Sequence, residues 1–331
     1  MISFLRLIRF PNLIILALTM IGVRYGLLET LWMHGIRLLL DQGFMPSGMG
    51  LHMSDFAFIG LLISTLFIAA AGYIINDYFD TKADRVNKPE KVFVGRSISR
   101  RWALMLHIAL SAVGLLLAIY MAWHCGNLKL SIVPLFSVLA LWIYSAKLKK
   151  QLLAGNLVIA FLAALVPILT GLYEFNSGAL LSLEIMNLNA PDTGSTLLKE
   201  ATVVVMAYAL FAFLTNLVRE IVKDIEDMDG DEQLGARTLP IVLGETQARF
   251  IAMSLVLFSI IVLGIILQYL WIYNITGLFW YLIGAVELPW LLLLGLLWKA
   301  QEKRHYSYAS LLCKIVIVTG LFSMFVFRWT F

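Results

Sequence analysis

The sequence predicts an all-α membrane protein: nine transmembrane helices forming a bundle around a central cavity, with a polar cap on the cytoplasmic side. Three observations predict it. The 331 residues are 61% hydrophobic and 14% charged, with a mean hydropathy of +0.87; soluble domains run to about 45–50% apolar and about 25% charged. Nine segments are long and apolar enough to cross hydrocarbon, which takes about 20 residues as a helix. In a nine-span topology, 19 of the 25 Lys and Arg fall on one side and five on the other, with Lys314 inside the last span. That bias puts the N-terminus inside and the C-terminus outside.

The segments lie at roughly 10–28, 56–75, 102–122, 130–146, 156–173, 201–218, 248–270, 277–297 and 309–328. Helices are expected because lipid offers backbone groups no partners. The opening "MISFLRLIRFPN" has no small-residue cleavage site after its first apolar run, so the first span reads as a retained anchor. Two outer connections are long, 28–55 and 174–200. The first contains "TLWMHGIRLLL", which reads either as an amphipathic stretch in the interface or as an irregular loop. Arg24 counts among the five outer basic residues. Glu200 opens the sixth span and reads as interfacial. Glu287, next to Pro289 in the eighth, is an intramembrane acid that serves either function or a partner within the bundle, and the proline predicts a local kink. Lys314 reads as snorkelling to the surface.

Other functional classes find little support. Cys125 and Cys313 are far apart, and each lies near or inside a span; they suggest neither a disulfide framework nor a metal site. His34, His52, His107, His124 and His305 lack metal-ligand spacing. The net charge of +4 reports orientation and does not imply nucleic acid. Neither a G-x-x-x-x-G-K-[ST] nor a G-x-G-x-x-G element is present, which argues against P-loop and dinucleotide sites.

Chemistry concentrates in two acidic clusters on the basic side. "NDYFDTKAD", Asn76 to Asp84, follows the second span, and "DIEDMDGD", Asp224 to Asp231, follows the sixth. On a helix, residues four apart share a face. Asn76, Asp80 and Asp84 have that spacing, as do Asp227 and Asp231. At about 100° per residue, Glu220, Asp224, Asp227 and Asp231 fall within roughly 60° of one another. Each cluster is thus a stripe of oxygen ligands on the extension of a membrane helix. Stacked like charges destabilise a helix, and a bound cation offsets the repulsion. Hard oxygen ligands suit Mg²⁺, which takes one or two carboxylates and completes its shell with water and substrate phosphate. Two facing stripes predict two ions around a diphosphate. Lys82, Arg85, Lys88, Lys91 and Arg96 surround the first stripe, Arg219 and Lys223 flank the second, and Lys147, Lys149 and Lys150 follow the fourth span; such residues hold phosphate oxygens. Asp80 to Asp227 and Asp84 to Asp231 share one offset, so the single domain, 1–331, reads as a pseudo-repeat of two four-helix units plus one extra helix.

At these residues the chain resembles the UbiA superfamily of intramembrane prenyltransferases. The resemblance rests on "NDYFDTKADRVNKP", "YSAKLKKQLLAGN" and "REIVKDIEDMDGDEQLGARTLPI" in a nine-span frame. It implies an all-helical bundle that binds an isoprenoid diphosphate through Mg²⁺, with the prenyl tail in a lipid-accessible tunnel. It implies Asn76, Asp80, Asp84, Asp227 and Asp231 as metal ligands, the four aspartates being catalytic. Asn76, Arg85, Tyr144, Lys149, Asn156 and Lys223 become substrate-binding candidates, supported by Asp77, Glu220 and Asp224. The implied reaction moves a prenyl group to a lipid-soluble acceptor and releases diphosphate; membrane lipid surrounds the protein, and no obligate protein partner is implied. The motifs are most similar to the branch that transfers geranylgeranyl to a glycerol-phosphate ether lipid. That branch often continues its first motif with a "RPIPSG"-like stretch, where this chain reads "EKVFVGRSISRR", so quinone-type or chlorophyll-type acceptors stay open. A carrier of phosphorylated lipid is the rival of another class, but its site would lie near the midplane.

Overall fold

The computed structural model describes residues 2–41, 51, 53–87, 93–176 and 191–330, with the side chains of all but residues 2, 3, 39, 82–87 and 191–196 among them. Among the described residues, nine helices are long and apolar enough to cross a membrane. They are α1 (Phe10–Leu38), α2 (Asp55–Thr81), α3 (Arg100–His124), α4 (Leu128–Ala146), α5 (Ala154–Glu174), α6 (Leu197–Glu226), α7 (Glu245–Ile272), α8 (Thr276–Lys299) and α9 (Lys303–Thr330). The span count and order follow the apolar segments. The chain is an integral multi-pass membrane protein.

The first span differs from its expected length. The stretch "TLWMHGIRLLL" is not an irregular loop; it continues the first helix as Glu29–Asp41 after a π-helical segment, Gly22–Leu28. The reason is packing. Leu31 and Trp32 are buried in the main core, and a Cβ on Gly35 would meet Leu197 of α6 at 2.7 Å. Hydropathy alone underweights such a stretch, because His34 and Arg37 dilute it. Residues 42–50 and 177–190, most of the two long outer connections, lie outside the described residues.

Arg24 also differs from expectation. It is not a surface charge: its side chain is 2% exposed. It donates to the Met53 carbonyl at 2.5 Å and pairs with Asp55 at 3.0 Å and Glu174 at 3.8 Å. Glu174 in turn accepts from the Met53 amide at 3.2 Å. The guanidinium lies over the rings of Tyr25 and Phe58. This network ties α1, α2 and α5 together.

The bundle closes on itself. α2 packs on α3 and α4, α5 on α6, and α9 returns against α6, α8 and the π-helical part of α1. Small residues permit close approach of membrane helices: a Cβ on Gly26 would lie 2.6 Å from the Met324 carbonyl oxygen of α9. Near the C-terminal end of α9 Arg328 binds Glu29 at 2.5 Å and the Tyr25 carbonyl at 2.8 Å. The largest core joins α1, α6, α7, α8 and α9, and a second joins α1, α2, α3 and α5. Trp102, Met105, Ile108, Leu116 and Trp123 of α3 are exposed, as a lipid-facing helix requires. The kink expected at Pro289 takes the form of a π-helical turn, Ile283–Glu287, just before it.

Candidate active site

The helix that begins with α2 runs without interruption from Asp55 to Asn87, so it carries the first stripe along its C-terminal end. Arg9 and Lys149 are drawn to it from either side. The Arg9 guanidinium donates to Asp77 at 3.0 Å, and Lys149 forms an ion pair with Asp80. The Asn76 Oδ1 is buried without a hydrogen-bond partner. Asp84 and Arg85 lie on the same helix, but their side chains are outside those described.

The second stripe is built differently from a plain helical extension. The helix ends at Glu226, and a short helix, Met228–Gln233, follows after a one-residue break at Asp227. The register nevertheless holds. The Asp227 amide bonds to the Lys223 carbonyl and the Asp231 amide to the Asp227 carbonyl, at 2.9 and 3.1 Å. Gly230 and the crowd of aspartates account for the break, since glycine and like charges both weaken a helix. The short helix packs against the helix of the first stripe, so the two acidic segments meet.

A third element binds the stripes together. The turn Leu148–Lys150 follows α4 and delivers Lys149 to Asp80. Its Lys150 carbonyl accepts from the Arg237 amide at 2.9 Å, behind the second stripe. Asn156, at the start of α5, donates to Asp224 at 2.8 Å. Gly155 permits this crossing: a Cβ there would lie 2.8 Å from Lys149 Cα and 3.0 Å from the Leu148 carbonyl oxygen. Half-buried Tyr144 feels the charges of Glu220, Asp80, Asp224 and Arg9. Glu220 holds Arg219 at 2.6 Å and Lys223 at 3.5 Å.

The structure thus brings Asn76, Asp77, Asp80, Tyr144, Lys149, Asn156, Glu220, Lys223, Asp224, Asp227 and Asp231 to one region at one end of the bundle. Glu287 is apart from it; its Oε2 is buried without a hydrogen-bond partner. Arg9 is the residue that sequence reasoning missed. It sits in a left-handed turn (φ 49°, ψ 53°) between two helices, with its guanidinium over the Tyr73 ring. The signal available was an arginine just before "FPN", which reads equally well as a topological charge.

Among the described residues, no three His, Cys, Asp or Glu side chains converge as a ready metal cage. Mg²⁺ does not require one, because water and substrate phosphate complete its shell. The oxygen-only donor set of Asn76, Asp80, Asp227 and Asp231, with an orphaned amide oxygen among them, suits that ion.

Comparison with known proteins identifies the family and the fold. The UbiA prenyltransferase family matches residues 43–323. Digeranylgeranylglyceryl phosphate synthase of Thermococcus gammatolerans is 32% identical over 257 residues, 78% of this chain and 80% of that protein. The synthase of Sulfurisphaera tokodaii is 34% identical over 255 residues, covering 76% and 80%. A solved structure of digeranylgeranylglyceryl phosphate synthase shares the fold, with a TM-score of 0.60 at 23% identity over 98% of each chain. So does a UbiA homologue from Archaeoglobus fulgidus bound to DMAPP and Mg²⁺, with a TM-score of 0.53 at 18% identity over 98% and 99%. The chain therefore belongs to the UbiA prenyltransferase family and is an intramembrane prenyltransferase.

Proposed function

We propose that the protein transfers geranylgeranyl from its diphosphate to geranylgeranylglyceryl phosphate, forming an ether and releasing diphosphate. The observation that carries the reading is the meeting of two carboxylate stripes, with Lys149 paired to the first and Tyr144 feeling the charges of both. The acceptor follows the curated relatives, which are named digeranylgeranylglyceryl phosphate synthase. The lysine and arginine bias supports a cytoplasmic site and N-terminus with the C-terminus outside. The chain acts as one membrane domain, 1–331, and the equal offset of its two motifs supports a duplicated four-helix origin.

Asp80, Asp84, Asp227 and Asp231, with Asn76, would hold Mg²⁺. Bound there, the ion neutralises diphosphate charge and so makes it a competent leaving group. Lys149 and Arg85 bind phosphate oxygens and stabilise the charge that develops as the C–O bond to the first prenyl carbon breaks. The electron pair leaves with the diphosphate. The acceptor hydroxyl then bonds to the allylic carbon, and its proton passes to a diphosphate oxygen. Asp77 holds Arg9, and Asn156 holds Asp224, which fixes both stripes in register. The apolar bundle keeps water from the allylic carbon.

The test is an acceptor screen with purified protein, labelled prenyl diphosphates, Mg²⁺ and either geranylgeranylglyceryl phosphate or aromatic acceptors, read by mass spectrometry. The reading expects the diether phosphate. A prenylated aromatic product, or cargo movement across proteoliposomes with no covalent product, would replace it.

A further inference from the structure

We infer that Arg6, Arg96, Arg100 and Arg101 form a docking surface for the headgroups of anionic phospholipids, on the lipid-facing wall behind the candidate active site. The sequence supplies an unopposed charge. No aspartate or glutamate occurs from Met1 to Leu28 or from Lys91 to Tyr173, the stretches that hold all four arginines. The fold gathers them around one apolar cluster, built from Leu7 and Ile8 of the N-terminal segment, Ala70 and Ile74 of α2, Val94 of the turn before α3, and Ala103 of α3. The turn that carries Arg96 is fixed in place. Val94 and Ile98 pair across it. The Phe93 carbonyl accepts from the amides of Arg96, Ser97 and Ile98 at 3.3, 2.9 and 3.1 Å, and Gly95 takes the left-handed φ of 82° that the turn needs. The flanks are buried, and all four arginines are exposed. Among the described residues none of the four makes an ion pair, whereas Arg9, Arg24, Lys149, Arg219, Lys223 and Arg328 all do.

The cluster stands apart from the acidic stripes. Ala70 and Ile74 pack against the turn, and the Arg100 guanidinium lies over the Tyr78 ring at 4.5 Å. These three positions centre about 120° around the helix from Asn76, Asp80 and Asp84. Sequence order alone expects Arg96 beside the first stripe; its turn packs behind α2 instead. Asp77, the acid nearest that side, is already held by Arg9. Depth selects the ligand. Trp102, Met105, Ile108 and Leu116 are the exposed, lipid-facing side of α3, and Arg101 and Trp102 stand at its head. Tryptophan at the end of a span sits at headgroup level. Guanidinium groups at that level meet lipid phosphates, which they bind through paired N–H donors. Topological bias does not account for the cluster. It requires one face to carry an excess of basic residues, not one flank of that face to lack acids. The connection from α8 to α9, at the same end of the bundle, sets Glu302 among Lys299, Lys303 and Arg304.

The experiment titrates the purified full chain in detergent with phosphatidylglycerol or phosphatidylcholine and reads bound lipid by native mass spectrometry. Wild type is compared with Arg96→Gln, Arg101→Gln, the triple variant Arg6→Gln/Arg96→Gln/Arg101→Gln and a control, Lys303→Gln/Arg304→Gln. Wild type is expected to prefer phosphatidylglycerol. Each single variant weakens that binding about fivefold and the triple variant about 100-fold, since one cation at a membrane surface counts for about fivefold. The control stays within about twofold, and phosphatidylcholine binding does not move. A triple variant that binds phosphatidylglycerol as wild type does overturns the inference. So does a control that loses as much, because binding would then follow net charge alone. Displacement of the lipid by an equal concentration of inorganic phosphate assigns the surface to a soluble anion and overturns it too. Should the triple variant fold poorly, wild type decides through salt. Phosphatidylglycerol binding falls as sodium chloride rises from about 0.05 to about 0.5 M; binding that holds across that range refutes the docking surface.

Discussion

Replacing Gly155 by alanine tests whether the lysine turn is positioned by close backbone packing. The added methyl would lie 2.8 Å from Lys149 Cα, 3.0 Å from the Leu148 carbonyl oxygen and 3.1 Å from Lys149 N, where ordinary contacts run 3.4–4 Å. All three neighbours are backbone atoms, so no side chain can swing away to make room. The turn must retreat by roughly 0.5–1 Å, and a misplacement of about 1 Å can cost about 100-fold in rate. Lys149 rides on that turn, and its ion pair with Asp80 cannot keep its geometry. The expected result is a fall in kcat/KM of about 10- to 100-fold, measured as diphosphate release below the unfolding temperature. Overpacking of this kind also costs about 1–3 kcal/mol of stability, so thermal unfolding is followed in parallel. Gly264→Ala is the control, because a Cβ at that position in α7 meets nothing within 4 Å. A Gly155→Ala enzyme with kcat/KM within about twofold of Gly264→Ala would refute the reasoning.

Further outcomes follow from the same geometry. Asp80→Asn and Asp227→Asn abolish turnover while the unfolding midpoint in detergent holds; retained turnover in both would remove the stripes from the chemistry. Chelation by EDTA stops diphosphate release and Mg²⁺ restores it. Arg9→Gln lowers kcat/KM by about tenfold, the loss of one charge-assisted hydrogen bond in orienting the first stripe; a change in stability alone would make Arg9 merely structural. Arg24→Met removes the arginine that faces fully buried Glu174 and destabilises by about 3–5 kcal/mol, whereas the double change Arg24→Met with Glu174→Leu recovers most of it; thermal unfolding of wild type and the two variants checks this.

The legible part of the molecule was whatever repeats along one chain segment. Span number and order depend on hydropathy summed over about 20 residues, and the stripes depend on helical spacing, so both could be read directly. Asn76 to Asp80 and Asp227 to Asp231 needed only that local rule. The break at Asp227 left it intact, because the backbone bonds on either side preserve one turn. What could not be read is what chain-distant packing decides. Arg9 is 68 residues from its Asp77 partner, and nothing around "RFPN" encodes that meeting. Arg24 looked like an outer-face charge; only the approach of Glu174 and Asp55 makes its burial tolerable. The continuation of α1 past residue 28 likewise depends on Leu197, which pairs with Gly35 from another span.

The two ends of the bundle show why some of its charge is structural and some is chemical. Both ends place carboxylates among apolar helices, and both must compensate them. At the end opposite the acidic stripes one compensating group is an arginine, 2% exposed, facing a fully buried Glu174. Its rigid fork is shared among the Met53 carbonyl and two acids and covered by aromatic rings. Exchanging such a partner would leave a buried charge bare, so the cluster holds α1, α2 and α5 in place. At the end that carries the acidic stripes the compensating groups are Arg9 and Arg219 and two lysines, Lys149 11% and Lys223 32% exposed. A lysine head is a compact charge on a flexible stem and can leave a carboxylate when a phosphate offers a better partner. On the proposed reaction, an acidic stripe that holds exchangeable lysines suits a transient polyanion, whereas a buried arginine on the same scaffold serves the fold.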